Sequence, residues 1–190
     1  VALGVLAVER FALPQVQRPF PLLVVVLGVA GVNAVWIFAA RLFTRYVRDT
    51  DGAPDTQRSG QVFANAQVSA DLLLLTGILH YTGGVENPMA VFYLFHVAIS
   101  GLLLRPRDAV LQSGWAVLLY TIMAGAEWQG WTGHFALLPH RGALGLYEQR
   151  EYVGLLVAVN VCAVFGTLYF TLRIARLVDA SEFDEFKALY

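Results

Sequence analysis

Charged residues are scarce in this sequence of 190 residues, because only 14% are Asp, Glu, Lys or Arg while 57% are hydrophobic. Soluble domains usually contain ~25% charged and ~45–50% apolar residues, so the composition excludes an ordinary soluble domain. The net charge of −1 gives no reason to expect nucleic acid as a partner. The sequence therefore indicates a membrane protein with the lipid bilayer as its surroundings.

Cysteine is almost absent as well. Cys162 is the single cysteine and lies inside an apolar run, which excludes a disulfide framework and a cysteine-based metal site. A buried thiol in a helix is a simpler interpretation of Cys162 than a redox role. A cleavable signal peptide is also not visible. Val1–Val8 would reach only ~12 Å as a helix, so we interpret it as the end of a first helix that begins before Val1.

Apolar segments of about the length of a membrane span, ~20 residues, recur along the chain. They are Phe20–Phe43, Gln61–Tyr81, Pro88–Leu104, Ala109–Ala126 and Tyr152–Leu172. Polar loops are predicted between them at Thr44–Gly60 and Glu127–Glu151. The fold class is thus predicted to be all-α, a polytopic bundle of about six transmembrane helices over residues 1–172, with the first helix only partly present.

Basic residues fall mainly on one side of this bundle. That side collects Arg41, Arg45, Arg48, Arg58, Arg105, Arg107, Arg173, Arg176 and Lys187. The positive-inside rule therefore places the C-terminus in the cytoplasm. Residues 173–190 have apolar positions spaced like one helix face, so they are either a signal helix that leads to an output or an amphipathic helix lying on the membrane.

Two of the spans form a hairpin, and its tip is chemically distinctive. Gln61–Tyr81 and Pro88–Leu104 are joined by a short turn in which Gly83-Gly84 permits positive φ and Asn87-Pro88 begins a helix. Backbone amides beside aromatic rings suit a quinone head group, while a plain tight turn is the simpler alternative. The residues of this turn predicted to bind a quinone are Tyr81, Gly83, Gly84, Asn87 and Phe92.

Three ionisable residues lie within the hairpin arms. Asp71 is ~18 Å along the helix from Gly83, near the middle of the bilayer. An ionisable group there is costly, and its alternative roles are an interhelical hydrogen bond and a proton-linked or signalling function. His80 and His96 could be haem ligands, but they lie ~4.5 Å and ~12 Å from their ends of the turn. Two axial ligands of one haem must lie at the same depth in the membrane, so we consider haem unlikely. We expect His80 and His96 to be polar groups inside the membrane instead.

The run from Asp71 to Met89 resembles the membrane sensor domain of RegB/PrrB-type redox-responsive histidine kinases. Their motif is Gly-Gly-x-x-Asn-Pro-Phe between the third and fourth of six membrane helices, and here it reads Gly83-Gly84-Val85-Glu86-Asn87-Pro88, with Met89 in place of Phe. The resemblance is specific over about Asn65–Leu104. It implies quinone sensing at Gly83, Gly84, Asn87 and Pro88.

The resemblance also implies a bacterial inner membrane location, a homodimer and a cytoplasmic kinase or other output domain. Neither a phosphoacceptor histidine box nor glycine-rich ATP-binding boxes occur in these 190 residues, so no catalytic residue is predicted. The alternative is a structural subunit of a respiratory or photosynthetic membrane complex. In that case the hairpin would pack against helices of partner subunits.

Overall fold

The computed structural model describes the backbone of residues 19–49, 54–135 and 145–188. It describes the side chains of residues 27–42, 45, 58–135 and 145–177. Five α-helices make up most of this described part of the chain. The helices are α1 (Pro19–Asp49), α2 (Pro54–Tyr81), α3 (Phe92–Leu103), α4 (Pro106–Trp128) and α5 (Arg150–Ala188). Short 3₁₀ turns occur at Gly84–Glu86, Pro88–Val91 and Leu146–Glu148.

Three of the helical segments are long and apolar enough to cross a membrane: Arg58–Tyr81, Pro106–Trp128 and Arg150–Leu177. Leu27–Leu42 and Pro88–Leu103 are shorter apolar helices. At 1.5 Å per residue, Pro88–Leu103 reaches ~24 Å, somewhat less than the ~30 Å hydrocarbon core. The predicted all-α membrane bundle is confirmed.

Several predicted boundaries were wrong. The loop predicted at Thr44–Gly60 is mostly helix, because α1 continues to Asp49 and α2 begins at Pro54, where proline suits the first helical position. Glu127 does not begin a loop but belongs to the last turn of α4. The remnant Val1–Val8 lies outside the described residues.

Helix α5 extends well past the predicted final span. It continues to Ala188, so most of the predicted tail 173–190 is helical and joined to the membrane span without a break. Its 39 residues correspond to ~58 Å, about twice the thickness of the hydrocarbon core. The helix is therefore long enough to cross the membrane and leave it.

Helices α2 and α4 run toward the hairpin turn, and α3 and α5 run away from it. At the turn end of the bundle, the Val85 N–H donates to the carboxylate of Glu127 in α4 at 3.2 Å. At the far end, the Arg105 N–H before α4 donates to the Gln61 side chain of α2 at 3.3 Å. Antiparallel neighbours thus place the end of α4 at the level of the turn.

The core lies between α2, α3, α4 and α5. Its fully buried side chains include Leu72, Leu79, Tyr93, Val97 and Val164. Nearer the far end, the Gln112 amide of α4 donates to the Asn65 backbone oxygen at 3.1 Å and to Ser69 Oγ at 2.9 Å. This polar layer ties α2 to α4, since a buried amide in hydrocarbon requires partners.

Candidate functional site

The hairpin turn is built on two glycines with positive φ. Helix α2 ends at Tyr81, and Gly83 and Gly84 then adopt φ values of 128° and 53°. L-residues rarely adopt such angles, because Cβ collides with the backbone. The reversal of the chain after α2 therefore requires glycine at both positions.

Gly84 has a second reason to be glycine. A Cβ atom built on it would overlap the carboxylate of Glu127, which lies directly against the turn. The Val85 N–H next to it donates to Glu127 Oε2 at 3.2 Å. The absence of a side chain at Gly84 thus allows a carboxylate from α4 to reach the backbone of the turn.

Glu127 is the centre of a buried polar cluster. Its side chain is completely buried, with His80 Nδ1 at 2.8 Å from Oε1 and His134 Nδ1 at 3.2 Å from Oε2. Together with the Val85 N–H, the two imidazoles satisfy the carboxylate, which would otherwise be costly to bury. We call these residues the His80–Glu127–His134 cluster. Within the part of the chain that the structure describes, no set of three His, Cys, Asp or Glu side chains is arranged for a metal.

The cluster continues to the segment before α5 through Glu86. Glu86 Oε1 accepts a hydrogen bond from the Tyr147 N–H at 3.2 Å, and its Oε2 lies 3.9 Å from His134 Nε2. The His134 ring stacks on the Tyr147 ring, with centroids 4.0 Å apart. A hydrogen bond from its hydroxyl to Glu148 raises the pKa of Tyr147, which keeps this phenol protonated. The turn is thereby joined to the start of α5.

Asn87 fixes the second half of the turn. It is 3% exposed, and its Oδ1 accepts a hydrogen bond from the Met89 N–H at 2.9 Å. Its Nδ2 donates to the Thr82 backbone oxygen at 2.9 Å and to Thr82 Oγ1 at 2.7 Å. Pro88 then occupies the first position of the 3₁₀ turn, where an N–H is not needed.

We expect Asn87→Ala to lower the free energy of unfolding by about 1–3 kcal/mol, because it removes a helix cap and takes the Asn87 amide away from the Thr82 backbone oxygen. The measurement is unfolding by SDS in mixed micelles, followed by circular dichroism. Gln129→Ala is the control, since Gln129 is exposed at the same end of the bundle. Equal unfolding midpoints for the two variants would contradict this role of Asn87.

A groove lies below the turn, between α1, α2 and α3. It has a volume of about 330 Å³, and its polar lining residues are Asn33, Asp71 and His96. Phe92 and Met89, from the second half of the turn, lie at its upper end. His96 is close enough to Asp71 to interact with it electrostatically, while its Nδ1 lies 2.9 Å from the Phe92 backbone oxygen.

The residues predicted to bind a ligand thus fall into two groups. Gly83, Gly84 and Asn87 are buried and build the turn, whereas Pro88, Tyr81 and Phe92 are exposed. Tyr81 packs against Phe135, with ring centroids 5.1 Å apart, and Phe92 belongs to the groove. Contact of any of these residues with a ligand stays a prediction.

The structure places Asp71, His80 and His96, the residues predicted to have polar roles in the hairpin arms, at two different sites. His80 belongs to the His80–Glu127–His134 cluster at the turn end. Asp71 and His96 line the groove together. The two histidines predicted at different depths therefore have different partners.

Glu127 and His134 were not predicted as site residues. Glu127 ends an apolar helix whose antiparallel course places it level with the turn, and His80 is three residues before Gly83. These facts of topology could have suggested a His80–Glu127 pair. His134 gave no comparable signal, because it lies in a segment without helical periodicity.

Comparison with protein families agrees with this architecture. The model of the PilS-like transmembrane domain, a domain of six membrane helices, matches residues 34–183. PilS is itself a histidine kinase sensor, which is consistent with the predicted membrane sensor domain. No curated protein and no solved structure gives a significant match. Because the matched region covers most of the sequence, the chain belongs to the family of PilS-like transmembrane domains.

Proposed function

We propose that this chain is the membrane sensor module of a two-component histidine kinase. The observation that carries the proposal is the family match over residues 34–183. The sensor is a multi-pass protein of the bacterial inner membrane, with its C-terminus in the cytoplasm as the distribution of arginines favours. Its partners are a second copy of the chain and a cytoplasmic kinase domain.

The geometry supports a signalling route along α5. Glu86 and His134 contact Tyr147 at the turn end, three residues before α5 begins at Arg150. From there the helix continues without interruption to Ala188, ~58 Å away. A rearrangement of the His80–Glu127–His134 cluster would therefore move the first turn of the helix that leaves the membrane.

Phosphorylation tests the kinase assignment. Membranes containing the native polypeptide that carries this sequence are incubated with γ-labelled ATP, and acid-labile phosphohistidine is expected on that polypeptide. A polypeptide that takes up no label, and purifies in fixed ratio with other membrane subunits, would contradict the proposal. It would then support a structural subunit of a respiratory or photosynthetic complex.

The proposed ligand of the sensor is a quinone held in the groove below the turn. Its volume of about 330 Å³ is within the usual range of ~300–1,000 Å³ for small-molecule sites. Phe92 and Met89 supply apolar contacts at its upper end, and Asp71 and His96 supply polar atoms below. By helix rise, Asp71 lies ~15 Å below Tyr81, a depth at which an isoprenoid tail remains in lipid.

The groove favours the reduced form of this ligand. A hydroquinone donates two O–H groups, and the Asp71 carboxylate, when ionised, accepts from one of them. An oxidised quinone has only carbonyl acceptors, which gain nothing from a carboxylate. The redox state of the ligand would thus change what Asp71 contacts.

Asp71→Asn is expected to lower the affinity for a short-chain ubiquinol about 10–100-fold, with little loss for the quinone, because a hydrogen bond to a charged group contributes about 1.5–3 kcal/mol. Tyrosine and tryptophan fluorescence in lipid nanodiscs measures both affinities. Asp108→Asn, outside the groove, is the matched control. Equal quinol affinity in the two variants would contradict this site while leaving the kinase assignment intact.

A further inference from the structure

A second cleft lies at the far end of the bundle, away from the turn. Its volume is about 270 Å³, and it lies between the end of α3, the start of α4 and the middle of α5. Most of its lining is apolar, with Leu102, Leu104 and Leu172 among the walls. Arg176 is its single charged lining residue.

The cleft lies at the level where the chain leaves the hydrocarbon. Tyr152–Leu172 of α5 contains no charged residue, and Arg173 and Arg176 follow it. On the neighbouring helices, the apolar run of α3 ends at Leu104 and is followed by Arg105 and Arg107. Since arginines are costly at the bilayer centre, these four side chains mark the headgroup region.

Arginines outnumber carboxylates around the cleft, where Asp108 in the first turn of α4 is the acidic residue nearest along the chain. All four arginines are exposed, and none of them forms an ion pair with a carboxylate among the side chains that the structure describes. Arg173 contacts Tyr169 instead, with its Nε 3.4 Å from the hydroxyl. Arg176 has no carboxylate partner among the described side chains, and guanidinium pairs well with phosphate oxygens.

Close packing of α3 on α5 shapes the cleft. A Cβ built on Gly101 would lie 2.8 Å from Thr171 Cγ2, so glycine permits the two helices to approach here. Beside this contact the helices and the start of α4 leave a mainly apolar recess that Arg176 also lines. At about 270 Å³ the recess is slightly smaller than the ~300 Å³ of the smallest usual small-molecule sites, so it accommodates part of an acyl chain rather than a whole lipid.

We infer that this cleft binds one anionic phospholipid, with its phosphate on Arg176 and part of an acyl chain against Leu102, Leu104 and Leu172. A basic pocket between membrane helices at headgroup level suits such lipids. The surrounding arginines favour a lipid with net negative charge over a zwitterionic one. The site is separate from the groove at Asp71 and does not depend on the proposed sensor function.

Native mass spectrometry of the delipidated protein tests this inference, with cardiolipin, phosphatidylglycerol or phosphatidylcholine added at equal concentration. One bound anionic lipid is expected to persist at collision energies that remove phosphatidylcholine. Arg176→Gln should lower the occupancy by anionic lipid at least fivefold. Arg173→Gln removes a neighbouring charge outside the cleft and should retain most of it.

A second variant separates a built site from general attraction to a basic surface. Ala175→Leu keeps every charge but fills the cleft that Ala175 lines, so it should also reduce occupancy. Circular dichroism of each variant verifies that the helices are intact. Equal occupancy in Arg176→Gln and Arg173→Gln would overturn the inference. Equal retention of phosphatidylcholine, or full displacement of the lipid by millimolar inorganic phosphate, would overturn it too.

Discussion

Glu127→Ala is expected to lower the free energy of unfolding by about 3–5 kcal/mol, because it breaks a buried charged network by removing one partner. The carboxylate accepts from the Val85 N–H and contacts His80 and His134, and its side chain is completely buried. Without it, three polar groups at the turn lose their common partner. SDS unfolding in mixed micelles, followed by tryptophan fluorescence, measures the loss.

Glu151→Ala is the control for this experiment. Glu151 is an exposed glutamate in the first turn of α5, so its removal should cost less than ~1 kcal/mol. Glu127→Gln should lie between the two variants, because one amide oxygen replaces two carboxylate oxygens while the volume is preserved. If Glu127→Ala unfolds at the same SDS fraction as Glu151→Ala, the cluster does not stabilise the turn.

Gly84→Ala is expected to destabilise the protein by about 2–4 kcal/mol. The left-handed conformation at this position costs alanine ~1–2 kcal/mol, and the new methyl group also displaces the Glu127 carboxylate. Gly77→Ala is a matched control on the same hairpin arm. A Cβ at Gly77 meets no atom within 4 Å, and alanine is the better helix former by ~0.5–1 kcal/mol. The two substitutions should therefore shift the SDS unfolding midpoint in opposite directions.

The double variant Gly84→Ala/Glu127→Ala tests whether the two residues act on each other. Its destabilisation should be at least ~1 kcal/mol smaller than the sum of the single variants, since the new methyl group then occupies space that the carboxylate has left. The backbone strain at residue 84 remains in both backgrounds. Strict additivity would show that the glycine and the carboxylate contribute independently.

The hairpin was the part of the fold that could be predicted most fully. Long apolar runs specify helices in a membrane because backbone polar groups must be paired within the segment. Glycine and proline then mark where such a helix ends or begins, as they do at Gly83 and Pro88. The boundaries of α1, α2 and α5 were less accurate, because helices extend past the apolar run into charged sequence that carries no hydrophobic signal.

The candidate sites were predicted less completely. The motif Gly83–Pro88 was identified from the sequence, but in the structure its glycines and Asn87 form and stabilise the turn itself. The side chain that leaves no room for a Cβ at Gly84 is Glu127, which is 43 positions later in the sequence. Asp71 and His96 were each predicted to have a polar role inside the membrane, but the sequence did not show that they line the same groove. Such pairings depend on how far each helix is rotated about its axis.

The sequence alone determined that the chain is an all-α membrane protein, where its apolar helices lie, and that a glycine-rich turn joins two of them. Those properties follow from local hydrophobicity and backbone sterics, which need no knowledge of neighbours. The tertiary structure decided that Glu127 meets His80 and His134, and that Asp71 shares a groove with His96. Packing sets the rotation and level of each helix, and these fix which polar side chains meet.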